Sequence, residues 1–278
     1  MTQKTKPMLI TFDGEARSGK GTIVQITKDY LRDERGYKVM LIDRGQTFRV
    51  LVVAAERAGV DLDSPVALDA YLENEENSTL CVQFVKDVYH MTKAERDALL
   101  YTNTVGVNSA KVGARPASQE FVKMLTKKWV RDAGEEGYEI VLVDGRALET
   151  VSREMDVEGL CDYRMGLYFI CDAKISARRT LGYAKTPYEE LSSDEKAAVD
   201  QLVEQIETRN YSDRHNRAND EHRLVPPVGA LTYVLPNMPS VAKSDGIPMY
   251  IIDTSAELTK ERMSLPVAMF IADVLALH

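Results

Sequence analysis

The chain has 278 residues, enough for one large α/β domain or two small ones. Its 35 Lys and Arg against 43 Asp and Glu leave a net charge of −8, which argues against sequence-independent nucleic-acid binding. Three cysteines without a CxxC, four histidines in no zinc spacing, no run near the roughly 20 apolar residues of a membrane span, and a polar start without a signal-peptide core make the expectation a reduced, soluble, cytoplasmic protein that meets neither membrane nor nucleic acid.

In chain order, the apolar run Met8–Phe12 predicts a first strand. It leads into Gly14-Glu15-Ala16-Arg17-Ser18-Gly19-Lys20-Gly21-Thr22, a glycine-bounded loop that opens a helix. Backbone N–H groups of such a loop and the positive end of the helix dipole converge on an anion. Lys20 can reach the β- and γ-phosphates of a triphosphate, and a hydroxyl beside it can hold Mg²⁺. The usual pattern has Ser or Thr directly after the lysine; here Gly21 takes that place and Thr22 follows.

Ile23, Ile26, Tyr30 and Leu31 carry the helix to a stop at Gly36. Lys38–Ile42 predicts a second strand ending at Asp43, and Phe48 to Ala58 a buried helix closed by Gly59. From 61 to 137 the pattern turns helical and polar, with an acidic turn at 73–77 that reads as a solvated face. Strands are expected again at Glu139–Asp144, Met165–Cys171 and Met249–Asp253. Between the last two lie helices at Ile175–Leu181 and Asp194–Thr208 and a Pro-rich stretch, Pro226–Pro248; a last helix is expected at Leu265–Leu277. Near-continuous apolar strands separated by helices indicate a five-stranded parallel sheet covered on both faces.

Ligands of such sheets bind beyond the carboxyl ends of the strands. Asp13, Asp43 and Asp144 stand at three of those ends. Each alone is as readily a turn or helix cap as a ligand; together, Asp144 in particular suits Mg²⁺. Arg49 and Arg146 follow strand ends, while Arg178, Arg179, Arg209, Arg214 and Arg217 cluster between the fourth and fifth strands. Arginine pairs bidentately with phosphate, and several must converge where two polyanions meet, although one of Arg178 and Arg179 is expected to lie on a solvated helix face with i,i+4 partners.

In these residues the chain resembles the bacterial cytidylate kinases of the P-loop nucleoside monophosphate kinase group. Asp43-Arg44-Gly45-Gln46-Thr47-Phe48-Arg49 is similar to the family's D-x-G-x-x-[YF]-R, Asp144-Gly145-Arg146 to its D-G-R, and Arg209-Asn210-Tyr211-Ser212-Asp213 to its R-x-x-x-D. Arg217 resembles a following lid arginine after a one-residue insertion. The resemblance implies a single P-loop kinase domain over 1–278, with an acceptor-binding insertion at 61–137 and a lid at 178–225. It implies ATP bound by residues 14–22, with Thr22 and Asp144 on Mg²⁺. The acceptor, a nucleoside monophosphate such as CMP or dCMP, would meet Asp43, Arg49, Arg146, Arg209, Asp213 and Arg217, with Lys20, Arg178 and Arg214 stabilising transfer.

Four departures accompany it. Ala147 replaces an acceptor-side aspartate, Ala110-Lys111-Val112 stands where the family has S-x-V (Ser109 lies next door), Gln119 aligns with an arginine, and Arg17 replaces a loop glycine. Two alternatives therefore stand beside the kinase reading: a P-loop kinase for another small acceptor, and a nucleotide-binding protein without catalysis.

Overall fold

The computed structural model describes residues 6–215, 240–244 and 247–276. Among these, β1 (Met8–Gly14), β2 (Val39–Asp43), β3 (Ile140–Asp144), β4 (Asp162–Ile170), β5 (Ser240–Ser244) and β6 (Ile247–Asp253) form one sheet in the order β2-β3-β1-β4-β6-β5. The five parallel strands expected from the apolar runs are present. A sixth, β5, pairs antiparallel with β6 at the sheet's edge, inside the Pro-rich stretch where no strand was expected. Its five residues, SVAKS, carry no apolar run to read, and the proline of the facing pair Lys243–Pro248 lies near the start of β6, before its pairing with β4 begins at Met249. Residues 226–239 of that stretch lie outside the described residues.

Residues alternating along the strands divide between two covered faces. Ile10 and Phe12 of β1, Ile140 and Leu142 of β3, and Leu167 and Phe169 of β4 pack with α1 (Lys20–Asp33) and α11 (Lys260–Ala276) in one core. Phe12 and Phe169 stack with ring centroids 5.9 Å apart. Each is fully buried, which contributes roughly 1.5–3 kcal/mol. Val141 and Val143 on the opposite face are equally buried, and α8 (Glu149–Val157) packs beside β1 and β4. The three cysteines are free and buried, and burial pushes the Cys161 thiol up to about 12.

Two helices start four or five residues earlier than expected. The last helix was read from Leu265, which puts Pro266 in its opening turn; α11 instead begins at Lys260 and carries Pro266 inside. The apolar face Met263, Val267, Ile271 and Leu275 packing on the sheet outweighs the hydrogen bond lost at Pro266. Likewise α2 (Arg44–Arg57) starts four residues before Phe48, because the Asp43 side chain caps it by accepting from Gln46 N at 2.8 Å.

By its contacts the chain divides into two compact units, Met1–Leu41 with Ala133–His278, and Ile42–Asp132. The second is helical: α2, α3 (Pro65–Glu73), α4 (Glu75–His90), α5 (Lys93–Leu100), α6 (Asn103–Gly113) and most of α7 (Pro116–Glu135). It has its own core, including Val50, Leu51, Leu68, Val85, Leu100 and Val122. The acidic turn marks a junction there, with Asn74 capping α4 through Asn77 N. Among the described residues no helix is long and apolar enough to cross a membrane.

Candidate active site

The loop after β1 is shaped by close approach and then braced from several directions. Gly14 sits at φ +147°, and a Cβ there would lie 2.3 Å from the Phe169 carbonyl oxygen on β4. Only glycine lets the chain turn so close to the neighbouring strand. Glu15 N then donates to that same carbonyl at 2.8 Å. Two hydroxyls hold the loop's carbonyls: Ser176 Oγ donates to Arg17 O and Thr254 Oγ1 to Ser18 O, each at 2.7 Å. Ser176 lies on α9 (Ala173–Thr180), and Thr254 follows β6. Ala16 N donates to Asn210 Oδ1 at 2.9 Å, from α10 (Ser193–His215).

At Gly19, φ +82°, the chain enters α1 with no side-chain cap. An uncapped N-terminus leaves N–H groups and the positive end of the dipole facing outward, an arrangement that binds anions. Lys20 stands in the first turn. Its Nζ donates to Asp144 Oδ1 at 2.5 Å, to Gly145 O at 2.5 Å and to Phe12 O at 3.2 Å. The ammonium and the carboxylate are each 14% exposed, so the pair is sheltered yet reachable. Thr22 is exposed on the same turn.

The three strand-end aspartates divide by role. Asp13 is committed to the backbone, accepting from Gly14 N at 2.6 Å and Leu148 N at 3.2 Å. Asp43 caps α2. Asp144 faces the lysine. Of the arginines, Arg146 pairs with Asp213 of α10, while Arg209 is exposed three residues after the buried Ile206. Arg178 is buried; Nη1 donates to Glu257 at 2.9 Å and Nη2 to Thr186 O at 2.5 Å, beside a cavity of about 260 Å³ also lined by Lys174, Lys185 and Tyr188. Neither of the pair lies on a solvated face as expected: Arg179 donates to Thr254 O and Ala256 O, both at 2.6 Å, because the chain after β6 brings those carbonyls beside it. Arg214 falls in the last turn of α10, and Arg217 lies outside the described residues. Arg49 belongs to the helical unit, its guanidinium 4.4 Å from the centroid of the Tyr101 ring.

Thr254, Ser176 and Asn210 were not singled out from the sequence. Thr254 carried a signal, a hydroxyl directly past a strand end, by the rule that selected Asp144. Ser176 and Asn210 carried none, since nothing in their neighbours distinguishes them from other polar helix residues.

Two non-glycine residues among those described adopt positive φ: Arg17 at +57° and Ala147 at +50°. Both stand at departures from the family motifs, Arg17 where the family has glycine. The left-handed conformation costs an L-residue roughly 1–2 kcal/mol. Arg17→Gly is therefore expected to stabilise the fold by about 1 kcal/mol against this strain, read as a higher denaturant midpoint at unchanged slope. A midpoint that falls would show that the Arg17 side chain contributes more than its backbone loses.

Five parallel strands flanked by helices, with a glycine loop on the central strand, an uncapped helix behind it and a lysine–aspartate pair at its mouth, are consistent with the α/β fold of P-loop kinases. No family model matches the chain. Curated cytidylate kinases do: that of Geobacter sulfurreducens is 25% identical over 244 residues, 85% of this chain and 93% of that protein. The cytidylate kinase of Thermosipho africanus is 22% identical over 208 residues, covering 74% and 79%. That of Pseudomonas syringae pv. tomato is 29% identical over 154 residues, 53% of this chain and 60% of the other. At this low identity, the chain is similar to cytidylate kinases over most of its length in the first two and about half in the third.

Proposed function

We propose that the protein transfers the γ-phosphoryl group of ATP to a nucleoside monophosphate, with CMP and dCMP the first acceptors to test. The observation that carries this reading is the Lys20–Asp144 pair at the open N-terminus of α1. A binder needs only the anion cradle; a transferase also needs a mobile cation and an acid at the γ-phosphate.

The residues present suit Mg²⁺ delivered with ATP. Among the described residues no group of three or more His, Cys, Asp or Glu forms a metal cage, and none is required, because Mg²⁺ bound with a nucleotide takes one or two protein oxygens and keeps its waters. Thr22 and Asp144 would hold it, and it would neutralise charge on the phosphates. Lys20 then exchanges Asp144 for the transferring group, following its charge through a loose transition state. Residues 14–22 hold the donor. Arg49 and Arg146 orient the acceptor phosphate, and Asp43, Arg209, Asp213 and Arg217 complete the acceptor side. Arg178 and Arg214 stabilise transfer, for which Arg178 must exchange Glu257 for phosphate. Closure of 178–225 keeps water from hydrolysing ATP. The insertion at 61–137 supplies the acceptor's base contacts.

A second acceptor class is favoured by the departures. Gln119 donates its side-chain amide to Gly113 O rather than presenting a cation, and Ala147 and Ala110 offer no polar atom. A site that lacks partners for a base rejects its analogues weakly. The expected result is therefore relaxed discrimination among CMP, dCMP, UMP and dTMP, read as kcat/KM with ATP. Ala147→Asp is expected to shift preference toward CMP, and aspartate also tolerates the positive φ at this position better than alanine. A parent already sharply selective for CMP would assign base recognition to other residues, Ser109 among them. ATP binding without transfer to any acceptor in a wider panel would favour the non-catalytic reading.

A further inference from the structure

We infer that Asn210 is a positioning residue that couples the donor loop to the helix carrying the acceptor contacts, an inference that rests on the kinase reading above. The loop residue it holds, Ala16, is fixed twice by the same helical layer. Its N–H donates to Asn210 Oδ1 at 2.9 Å across 194 residues of sequence. The residue as a whole is 6% exposed and packs into an apolar cluster with Ala177 of α9, Leu191, and Val199, Leu202 and Ile206 of α10. A backbone amide can bond only to an acceptor, so the asparagine's oxygen, not its nitrogen, faces the loop.

Three residues further along α10, Asp213 pairs with Arg146. A spacing of three places Asn210 and Asp213 on one face of the helix. Arg146 directly follows Gly145, whose carbonyl accepts from Lys20. One turn of α10 thus touches the donor loop at one end and the acceptor-side arginine at the other. Registering these two contacts on a rigid element sets the separation between donor and acceptor phosphates, and misplacement by about an ångström is enough to slow a bimolecular transfer severely.

The test compares Asn210→Ala and Asn210→Leu, which lack the acceptor oxygen, with Asn210→Asp, which keeps it. In the ligand-free parent the Ala16 amide is expected to be protected from hydrogen exchange, and by NMR that protection should fall in the alanine and leucine variants and persist in the aspartate variant. A neutral hydrogen bond is worth about three- to tenfold in an equilibrium, so kcat/KM for ATP should fall by about that factor in the first two, with kcat for CMP falling alongside KM for ATP rising. Melting temperature alone would move if the role were structural. An unprotected Ala16 amide in the parent overturns the inference whatever the kinetics. So does loss of protection in Asn210→Ala or Asn210→Leu with kinetics unchanged, or an aspartate variant that loses protection as the alanine variant does. Should the parent protect the amide yet transfer nothing, the kinase reading fails separately, and the coupling then stands only if Asn210→Ala weakens ATP binding by the same factor.

Discussion

Lys20→Ala is expected to leave the fold intact and to lower phosphoryl transfer by about 10²–10³-fold, the loss typical of removing one preorganised group that stabilises transition-state charge. The reason lies in how Lys20 is held. Its ammonium rests on Asp144, Gly145 O and Phe12 O at the carboxyl ends of β1 and β3, with a sheltered but accessible charge. It can leave those partners for a γ-phosphate without reorganising the sheet behind them. The same three partners explain a smaller effect on stability: without the lysine, Asp144 keeps its charge in a partly buried place with its counter-ion gone. Turnover with ATP and CMP, beside a thermal melt of each protein, separates the two effects. Near-normal turnover in a folded variant would sink the assignment of residues 14–22 as a donor loop.

The second large effect is expected at Arg49. If its guanidinium meets the acceptor phosphate, Arg49→Ala should lower kcat/KM for the acceptor by about ten- to a hundredfold, the worth of a charge-assisted hydrogen bond of roughly 1.5–3 kcal/mol, while ATP affinity stays within a factor of two or so. Stacking over Tyr101 holds the guanidinium plane and limits its rotamers before an acceptor arrives. Arg49→Lys should recover only part of the loss, because an ammonium keeps the charge but not the planar fork. The measurement is acceptor kinetics at saturating ATP, beside direct titration of ATP. A fall in ATP affinity with unchanged acceptor kinetics would move the acceptor elsewhere.

Much of the frame is legible in the sequence. Strands whose residues alternate between two buried faces read as continuous apolar runs, so β1, β3, β4 and β6 could be placed to within a few residues. The loop was equally plain: a glycine before a turn too tight for any Cβ, and another where the helix begins. The errors fell where local signals mislead. The polar turn Arg44–Thr47 hides a helix start that a capping aspartate makes stable, α11 begins five residues before the expected Leu265 and runs through Pro266, and β5 is too short and mixed to announce a strand.

The sequence by itself determined the order of elements and the position of the candidate loop, because strand and helix periodicity and glycine's conformational range are local properties that act within a few residues. Tertiary structure alone decided which polar groups serve the site and which serve the fold. Asp13 and Asp144 end neighbouring strands in the same way, yet one is taken up by backbone N–H groups and the other faces Lys20. Arg178 and Arg179 are adjacent, yet one lines a cavity and the other ties down two carbonyls. The loop's braces, Ser176, Thr254 and Asn210, come from 159 to 236 residues away. Such choices depend on which unpaired donor or acceptor the folded chain brings within 3 Å, and spacing along the sequence carries no record of that distance.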